Sequence, residues 1–263
     1  RRVSGLVGRS ARSRSGLMIV EGPQAVRELA RFRPGAVRDV YVREDAWVTH
    51  ADIVEAAQRA TRWVHPVTAE VSVALSRDSQ GVCAVASADA VSRELPEPSV
   101  GETLVVLAQG REPGNVGTII RTADAFGAVG VIAVSGTVEA TSPKVVRASA
   151  GSVFHIPVCI VPSFEEAHAL IHRRSAALLG TSGGAGSLDL SQMLAQGVSG
   201  RSRLSQSHAW VFGNEAKGLS GAEMRLCDAL VSIPMTGDAE SLNVASAATA
   251  CLFASQTVRG MAL

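Results

Sequence analysis

The sequence predicts an α/β protein in which a small N-terminal α/β domain precedes a larger domain built on a parallel sheet. Strand-like and helix-like patterns alternate along the 263 residues, as they do in βαβ units. Residues 103–109 form a continuous apolar run, typical of a strand buried on both faces. Residues 93–101 hold two prolines and two acids between apolar segments, which indicates a boundary. We therefore predict domains at residues 1–93 and 102–263, joined by a linker at 94–101.

The first domain is predicted from short alternating elements. Its strands are expected at residues 17–20, 37–42 and 81–87, and its helices at 22–32 and 50–62. Pro23 stands where the first helix begins, a position that proline favours. Residues 1–14 precede these elements and carry five arginines without an acid: Arg1, Arg2, Arg9, Arg12 and Arg14. This basic arm either attracts phosphates or is an ordinary solvated tail.

The second domain repeats the alternation on a larger scale. Its strands are expected at residues 103–109, 129–135, 176–182, 208–213 and 229–235. Helices are expected at 116–128 and 163–175, and a last one from about Asn243. Residues 186–207 are polar and low in aromatic side chains, so we predict mostly surface loop there. Alternation of this kind favours a parallel sheet.

Composition narrows the class of protein. Hydrophobic residues make up 46% of the chain, enough for a sizeable core, and the net charge of +1 does not by itself indicate a nucleic-acid-binding protein. The four cysteines form no CxxC pair and lie in apolar surroundings, as expected of reduced cysteines in a cytoplasmic protein. No apolar run reaches the roughly 18 residues that a membrane span requires, so we expect no membrane association.

Several familiar sites are excluded by their missing residues. The first strand of the second domain is followed neither by GxGxxG nor by the GK[ST] of a P-loop. His168 and His172 have zinc-protease spacing, but the glutamate of HExxH is absent and two arginines follow, so we expect a solvated helix face and no metal. No GxSxG elbow is present.

Two stretches combine glycine with polar side chains near predicted strand ends. In "EPGNVGTIIRTADAFGA", Asn115 and Arg121 lie near a helix N-terminus, where anions bind readily; an ordinary turn with a surface arginine would read the same way. In "WVFGNEAKGLS", Gly213 allows a ligand to approach the backbone, and Glu215 follows. The alternative there is a plain strand-to-helix turn.

A third stretch, "IPMTGDAESLNVASAATACLFA", joins an irregular apolar edge to a helix of small residues. Pro234 removes a backbone donor, which leaves groups free to face an adenine. Ser241 or Asn243 lies at the start of the helix and could simply cap it. The small residues follow helical spacing, and intramolecular core is one explanation of this stripe: Val244, Ala247, Ala248, Cys251, Leu252 and Ser255.

Together, these three stretches resemble the motifs of the SpoU/TrmH family of RNA ribose 2′-O-methyltransferases, within the SPOUT superfamily. The family motif N-x-G-x-x-x-R-T-A is similar to residues 115–123, G-N-E-x-x-G-L-S to residues 213–220, and I-P-M…S-L-N-V-A-x-A to residues 233–247. The three occur in the family's order. The arrangement most resembles 23S rRNA methyltransferases, including the thiostrepton-resistance type.

The resemblance implies a fold and a cofactor. It implies a C-terminal SPOUT domain with a deep trefoil knot and an N-terminal, L30e-like domain that binds the RNA substrate. It implies that S-adenosyl-L-methionine is bound in the knot by Gly213, Ile233, Met235 and Leu242, with Thr181 a further contact. It also implies a homodimer through the C-terminal domain, in which one subunit's arginine completes the other's site.

The reactive set implied by the resemblance is Asn115, Arg121, Glu215, Ser241 and Asn243. The family's arginine has been proposed as the base, but a guanidinium stays protonated, so Arg121 suits a phosphate better. Glu215, Asn243 or water would then accept the proton. Arg9, Arg12, Arg14 and Arg111 are expected to contact RNA phosphates. With only 4% aromatic residues, we expect recognition by shape and phosphate rather than by base stacking.

Two other functions remain compatible with the residues. One is 2′-O-methylation of tRNA, although the separate N-terminal domain favours rRNA. The other is a non-catalytic RNA-binding factor in ribosome assembly, which the intact reactive set disfavours.

Overall fold

A computed structural model describes residues 3–184, 186–197 and 201–261. The chain divides into two compact units: Arg1–Ser92 with Glu139–His155, and Arg93–Val138 with Ile156–Leu263. The segment 139–155 thus groups with the first unit, although the sequence places it inside the second domain. Arg1 and Arg2, the first cations of the predicted basic arm, lie outside the described residues.

The first unit contains a mixed sheet with the order β1-β4-β2-β3 among the described residues. Strand β4 pairs antiparallel with both β1 and β2, whereas β2 and β3 are parallel. Numbered along the whole chain, the strands are β1 (Leu17–Glu21), β2 (Val37–Arg43), β3 (Val64–Val67) and β4 (Val82–Ser87). The three predicted strands are therefore present. Strand β3 was not predicted, because proline is unusual inside a strand and β3 contains Pro66.

Helices pack beside this sheet. They are α1 (Arg9–Ser15), α2 (Pro23–Phe32), α3 (Ala46–Thr49), α4 (Ala51–Ala60) and α5 (Ala69–Leu75), with Pro143–Ala148 later in the chain. Both predicted helices are confirmed as α2 and α4. The basic arm is not an extended tail, because Arg9–Ser15 forms α1.

Arg12 corrects the prediction for the arm. Its side chain is buried and donates to the Leu6 and Val7 carbonyls at 3.3 and 2.7 Å and to Glu139 Oε2 at 2.6 Å. A cation held in this way is a structural ion pair and not a phosphate contact. Arg9 bonds the other oxygen of Glu139 but stays 81% exposed. The acid lies 127 residues from Arg12 in the chain, so the local sequence does not reveal the pair.

The second unit is built on a seven-stranded sheet, counted over the described residues, whose pairings are all parallel. The strand order is β7-β6-β5-β10-β8-β11-β9. The strands are β5 (Thr103–Leu107), β6 (Gly130–Val134), β7 (Val158–Val161), β8 (Ala177–Thr181), β9 (Leu188–Asp189), β10 (His208–Phe212) and β11 (Ala229–Ser232). Strands β5, β6 and β10 are buried at each position, as the continuous apolar runs predict.

Helices accompany this sheet. They are α6 (Pro113–Ala125), α8 (Phe164–Arg173), α9 (Leu190–Gly197), α10 (Gly221–Leu226) and α11 (Val244–Met261), and the helix at Pro143–Ala148 is accordingly α7. Helix α8 joins one buried cluster with the sheet through Phe164, Ala167 and Ile171. Helix α11 packs against α6, α9 and β10.

Residues 186–207 are not simply surface loop. They contain β9 and α9, and Leu190 and Met193 of α9 are buried. The prediction failed because polar side chains outnumber the few apolar ones that face α11.

The predicted linker is held by the second unit. Arg174 donates to Glu102 Oε1 and Oε2 at 2.7 and 2.8 Å and to the Pro96 carbonyl at 2.8 Å. The Leu95 side chain lies so close to Gly130 that a Cβ at position 130 would clash with it. Within the part of the chain that the structure describes, no helix has the length and apolarity needed to cross a membrane.

Candidate active site

A cavity of about 480 Å³ opens in the second unit, where β8, β10 and β11 end. Carboxyl ends of parallel strands meet at one edge of a sheet, and ligands of open α/β sheets bind there. The lining comes from three segments and Met224 of α10: the segments are residues 181–183 at the end of β8, residues 213–219 after β10, and the stretch from Val231 to Ala247 that leads into α11. The second and third motif stretches therefore line the cavity directly, and the first does not.

The segment after β10 closes tightly on itself. Asn214 and Gly218 exchange two backbone hydrogen bonds of 3.0 and 2.8 Å, and Asn214 Oδ1 accepts from the N–H groups of Ala216 and Lys217. A Cβ on Gly213 would lie 2.5 Å from the Gly218 carbonyl oxygen. Glycine is required at position 213 because the returning backbone occupies the space of a side chain.

Glu215 connects this loop to the beginning of α6. Its Oε1 accepts the backbone N–H groups of Arg111 and Glu112 at 3.3 and 3.0 Å. Burial alone would raise the pKa of Glu215, but these N–H groups, its own N–H and the Asn115 side-chain amide outweigh it and lower the pKa. Glu215 is therefore an ionised acceptor with weak basicity.

Asn243 links the start of α11 to α6. Its Nδ2 donates to Asn115 Oδ1 at 3.0 Å, and its Oδ1 accepts the N–H groups of Ala245 and Ser246 at 2.9 and 3.4 Å. The capping interpretation is correct for Asn243 and not for Ser241. Asn243 is hydrogen-bonded to Asn115, and the Asn115 amide in turn helps to lower the pKa of Glu215, so one polar chain of three side chains joins the three motif stretches.

The structure divides the predicted residues by position. All five predicted cofactor contacts line the cavity: Thr181, Gly213, Ile233, Met235 and Leu242. Glu215 and Ser241 join them. Asn115 and Asn243 are not in the lining, although Asn243 lies in the chain between Leu242 and Val244, which are. Arg121 is exposed on α6, does not line the cavity, and has no ion-pair partner among the described residues.

The remaining predicted cations have separate locations. Arg111 is exposed next to Glu215, to which its backbone N–H is bonded. Arg9 and Arg14 are exposed in the first unit.

The small-residue stripe of α11 serves the monomer core. Ala248, Cys251, Leu252 and Ser255 are buried within the single chain. Val244 and Ala247 line the cavity instead. Of the two explanations for the stripe, intramolecular packing is the one that the structure supports, and an α11 dimer contact would have to use other positions.

Some lining residues were not among the predicted ones. Ser182 and Gly183 follow β8, and Glu240 precedes Ser241. Their signal was position alone, because residues just beyond parallel strands face the ligand edge. Among the described residues, no three His, Cys, Asp or Glu side chains are grouped to hold a metal ion.

Comparison with known proteins identifies the family. A model of the SpoU rRNA methylase family matches residues 102–253. The chain is 33% identical over 246 residues to the 23S rRNA (guanosine-2′-O-)-methyltransferase RlmB of Bordetella pertussis, covering 90% of this chain and 96% of that protein.

Solved structures agree. The SpoU methyltransferase AviRb from Streptomyces viridochromogenes superposes with a TM-score of 0.81 at 29% identity, over 98% of this chain and 96% of that chain. An AdoMet-bound rRNA methyltransferase from Sinorhizobium meliloti gives 0.77 at 28%, over 97% and 92%. Because the family match spans more than half of the sequence and the relative nearly all of it, this chain belongs to the SpoU rRNA methylase family.

Proposed function

We propose that this protein transfers the methyl group of S-adenosyl-L-methionine to a ribose 2′-oxygen of 23S rRNA. The observation that carries the proposal is the cavity at the strand ends, which gathers the five predicted cofactor contacts beside the Asn243–Asn115–Glu215 chain. Family relatives support it, since the RlmB protein is named a 23S rRNA 2′-O-methyltransferase and neighbours bind AdoMet.

The cavity suits such a cofactor in size and chemistry. Its 480 Å³ lies within the roughly 300–1,000 Å³ of small-molecule sites. Met235 and Leu242 each keep 43% exposure, so apolar surface is available for an adenine or a thioether chain. Lys217 lies in the wall and offers a cation to a carboxylate. Gly213 presents backbone without a side chain in the way.

When bound, the cofactor supplies a methyl group already activated on a sulfonium; the new C–O bond forms as the S–CH₃ bond breaks, and S-adenosylhomocysteine leaves. The protein then has two tasks: to align the attacking oxygen and to receive its proton. Alignment can contribute roughly 7–11 kcal/mol. We assign alignment to the polar chain, in which Asn243 and Asn115 fix each other and Glu215 fixes the loop.

The bonding pattern restricts the proton acceptor. Asn243 Oδ1 already accepts two N–H groups of α11, so Asn243 does not take the proton. Glu215 Oε1 already accepts two backbone N–H groups, and these bonds help to lower the pKa of Glu215, so this carboxylate is committed to holding the loop. We therefore assign the proton to water, and we assign Arg121 to the phosphate next to the target ribose, where its guanidinium fork can bind in bidentate fashion.

The remaining assignments follow from this reaction. We propose residues 1–93 as the domain that selects the RNA, with an L30e-like fold, residues 94–101 as the linker and 102–263 as the catalytic domain. Arg9, Arg14 and Arg111 serve as phosphate contacts, since all three are exposed. A protein that modifies rRNA in this way would work in the cytoplasm.

We also propose the trefoil knot and the homodimer. Strand β10 lies between β5 and β8, although both precede it in the chain, so a later strand occupies the centre of the sheet between two earlier ones. That order supports a threaded C-terminal segment. Arg121 is exposed, is absent from the cavity lining and has no ion-pair partner in the described part of the chain, which supports a dimer in which it reaches the partner's cavity.

The test is methyl transfer from labelled S-adenosyl-L-methionine to 23S rRNA fragments and to bulk tRNA, with the modified ribose mapped by mass spectrometry. We expect incorporation into 23S rRNA. Asn115→Ala should lower kcat on the order of 10²-fold with cofactor affinity unchanged, because this amide positions the site without lining the cavity.

Gln192→Ala is the matched control, since it removes another side-chain amide, exposed on α9. It should leave kcat unchanged. If only tRNA is methylated, the substrate is tRNA and the rRNA part of the proposal is wrong. If calorimetry shows no binding of S-adenosyl-L-methionine, the protein is not this enzyme, and the non-catalytic RNA-binding assembly factor becomes the better explanation.

A further inference from the structure

Three ring side chains form a row on the sheet of the first unit. Tyr41 of β2 and His65 of β3 are register partners, and their ring centroids lie 5.0 Å apart at an interplanar angle of 22°. Trp63 precedes His65 by two residues, so both point to the same face, and their rings are 6.3 Å apart at 18°. Because β3 is the outermost strand, the row runs to the edge of the sheet.

The row is open at its outer end. Trp63 is 51% exposed, and the His65 side chain is 38% exposed. Trp210, by contrast, is fully buried. A half-exposed indole stacked in a row with other rings contributes little to the core and leaves π surface available. Despite the low aromatic content of the chain, Trp63, His65 and Tyr41 are therefore grouped on one face of this unit.

Arg62 flanks this row at its outer end. The Arg62 guanidinium lies 4.7 Å from the centre of the Trp63 ring. Thr61 Oγ1 donates to the Arg38 carbonyl at 2.8 Å and accepts the Trp63 N–H at 3.2 Å, which fixes the backbone that carries Trp63. A phosphate that runs past the rings would thus meet the Arg62 guanidinium.

A cleft of about 440 Å³ continues from the other end of the row. Its walls are mostly apolar, and its polar groups include Arg14 and Asp39. Asp39 also lies 3.0 Å from His65 Nε2, so the cleft and the row share a residue. A carboxylate in an apolar cleft can accept from the amino edge of a nucleobase, as Asp and Glu do with cytosine N4. Burial, followed by Asp39 and Cys83, raises the pKa of Tyr41, so its ring stays neutral.

We propose that this face of the first unit binds single-stranded RNA, with bases stacked on the Trp63–His65–Tyr41 row and one unstacked base in the cleft beside Asp39. The proposal rests on the RNA-methylating function proposed above and names the form of RNA that the first unit selects. Stacking of this kind tolerates any base, since every base has a π face. The flanking Arg62 favours a polyanion over a protein partner as the occupant.

The test measures binding of a fluorescent, non-self-complementary single-stranded RNA octamer by anisotropy, without S-adenosyl-L-methionine. Trp63→Leu keeps apolar area but removes the π face, so affinity should fall about 5- to 100-fold. Trp63→Phe keeps a ring and should retain most of the affinity. Phe32→Leu alters another exposed aromatic of the same unit and should change nothing. With an rRNA fragment, Trp63→Leu should raise KM and leave kcat unchanged.

Several results would overturn the proposal. Equal affinity of Trp63→Leu and wild type for the octamer is the most direct. If Trp63→Leu lost as much affinity for a blunt duplex of the same sequence as for the octamer, the face would recognise RNA shape. If Trp63→Leu lost binding to a protein but kept its affinity for the octamer, the face would be a protein-docking surface. If Trp63→Leu fails to fold by circular dichroism, His65→Ala provides the same comparison.

Failure of this inference can be told from failure of the proposed function. A wild-type protein that methylates rRNA while Trp63→Leu is unaffected disproves only the stacking face. A wild-type protein whose octamer binding depends on Trp63, but which neither binds S-adenosyl-L-methionine nor methylates RNA, disproves only the enzymatic function.

Discussion

At the scale of single residues, the candidate site depends on positions where geometry leaves one choice. Asn243 shows this in its two-sided bonding, with the oxygen committed to α11 and the nitrogen to Asn115. At Gly213 there is no room for a side chain, since the backbone of residues 218 and 219 occupies the space that a Cβ would need. An aspartate at 243 would still cap the helix but could not donate to Asn115.

Gly213 yields a prediction at this scale. Gly213→Ala places a methyl group 2.5 Å from the Gly218 oxygen and the Leu219 nitrogen, which must push the 214–218 loop outward. We expect a loss of about 1–3 kcal/mol in the free energy of unfolding. Glu215 would move from the α6 N–H groups, so affinity for S-adenosyl-L-methionine should fall as well.

Denaturant unfolding and calorimetry measure these two effects. Gly237→Ala is the control, because a Cβ at Gly237 meets nothing within 4 Å. A Gly213→Ala variant with wild-type stability and wild-type cofactor affinity would show that the loop has room to adjust.

At the scale of elements, α11 is fixed to the sheet by a buried polar group. Ser255 Oγ lies 2.7 Å from His208 Nε2 and 2.8 Å from Trp210 Nε1. His208 Nδ1 lies 2.7 Å from the Gln206 carbonyl, so this nitrogen carries the proton and Nε2 accepts from Ser255. Burial, with a contribution from Arg259, lowers the pKa of His208 to about 4 despite the Gln206 bond, which keeps the ring neutral.

Ser255→Ala should therefore destabilise the fold. It leaves the buried Trp210 N–H without its acceptor and leaves His208 Nε2 with only Thr103 Oγ1 at 3.5 Å. A buried polar group without a partner costs about 1–3 kcal/mol. We expect a clear drop in the free energy of unfolding, measured by denaturant titration. Ser246→Ala, exposed on the same helix, should have little effect. Equal stabilities of the two variants would contradict the role of Ser255.

The elements also show what the sequence can predict. Strands β5, β6 and β10 are recognisable because burial on both faces requires continuous apolar runs. The start of α2 is recognisable because Pro23 is its first residue. Helix α9 is not recognisable, since it has only eight residues and lies within a segment that is mostly polar. Sites show the same contrast: motif glycines and amides are visible locally, but the Arg12–Glu139 and Tyr41–His65 pairs exist only after folding.

At the scale of the whole molecule, the single chain leaves Arg121 out of the cavity lining. Arg121 lies on the exposed side of α6, away from the cavity lining. Next to α6, α11 exposes Phe253 to 52%, and this ring contacts Phe126 at 6.0 Å. An exposed aromatic ring is typical of a protein interface, where aromatic side chains are enriched. The proposed dimer would cover this surface and bring Arg121 to the partner's cavity.

Complementation tests the shared site. Arg121→Ala removes the guanidinium, and Leu242→Asp puts a charge in the cavity at a residue 43% exposed, where folding tolerates it. Each homodimer should be inactive. Random reassociation of equal amounts makes half of the dimers heterodimers, and in each of these one of two sites combines an intact cavity with an intact Arg121. We therefore expect about one quarter of wild-type activity to return.

Native mass spectrometry establishes that heterodimers form, so that the activity can be interpreted. Two separately prepared samples of Arg121→Ala, mixed and reassociated, provide the control and should stay inactive. Since an arginine acting within its own subunit would leave both sites of a heterodimer defective, confirmed heterodimers without recovered methyl transfer would assign Arg121 to its own cavity and remove the reason for a shared site.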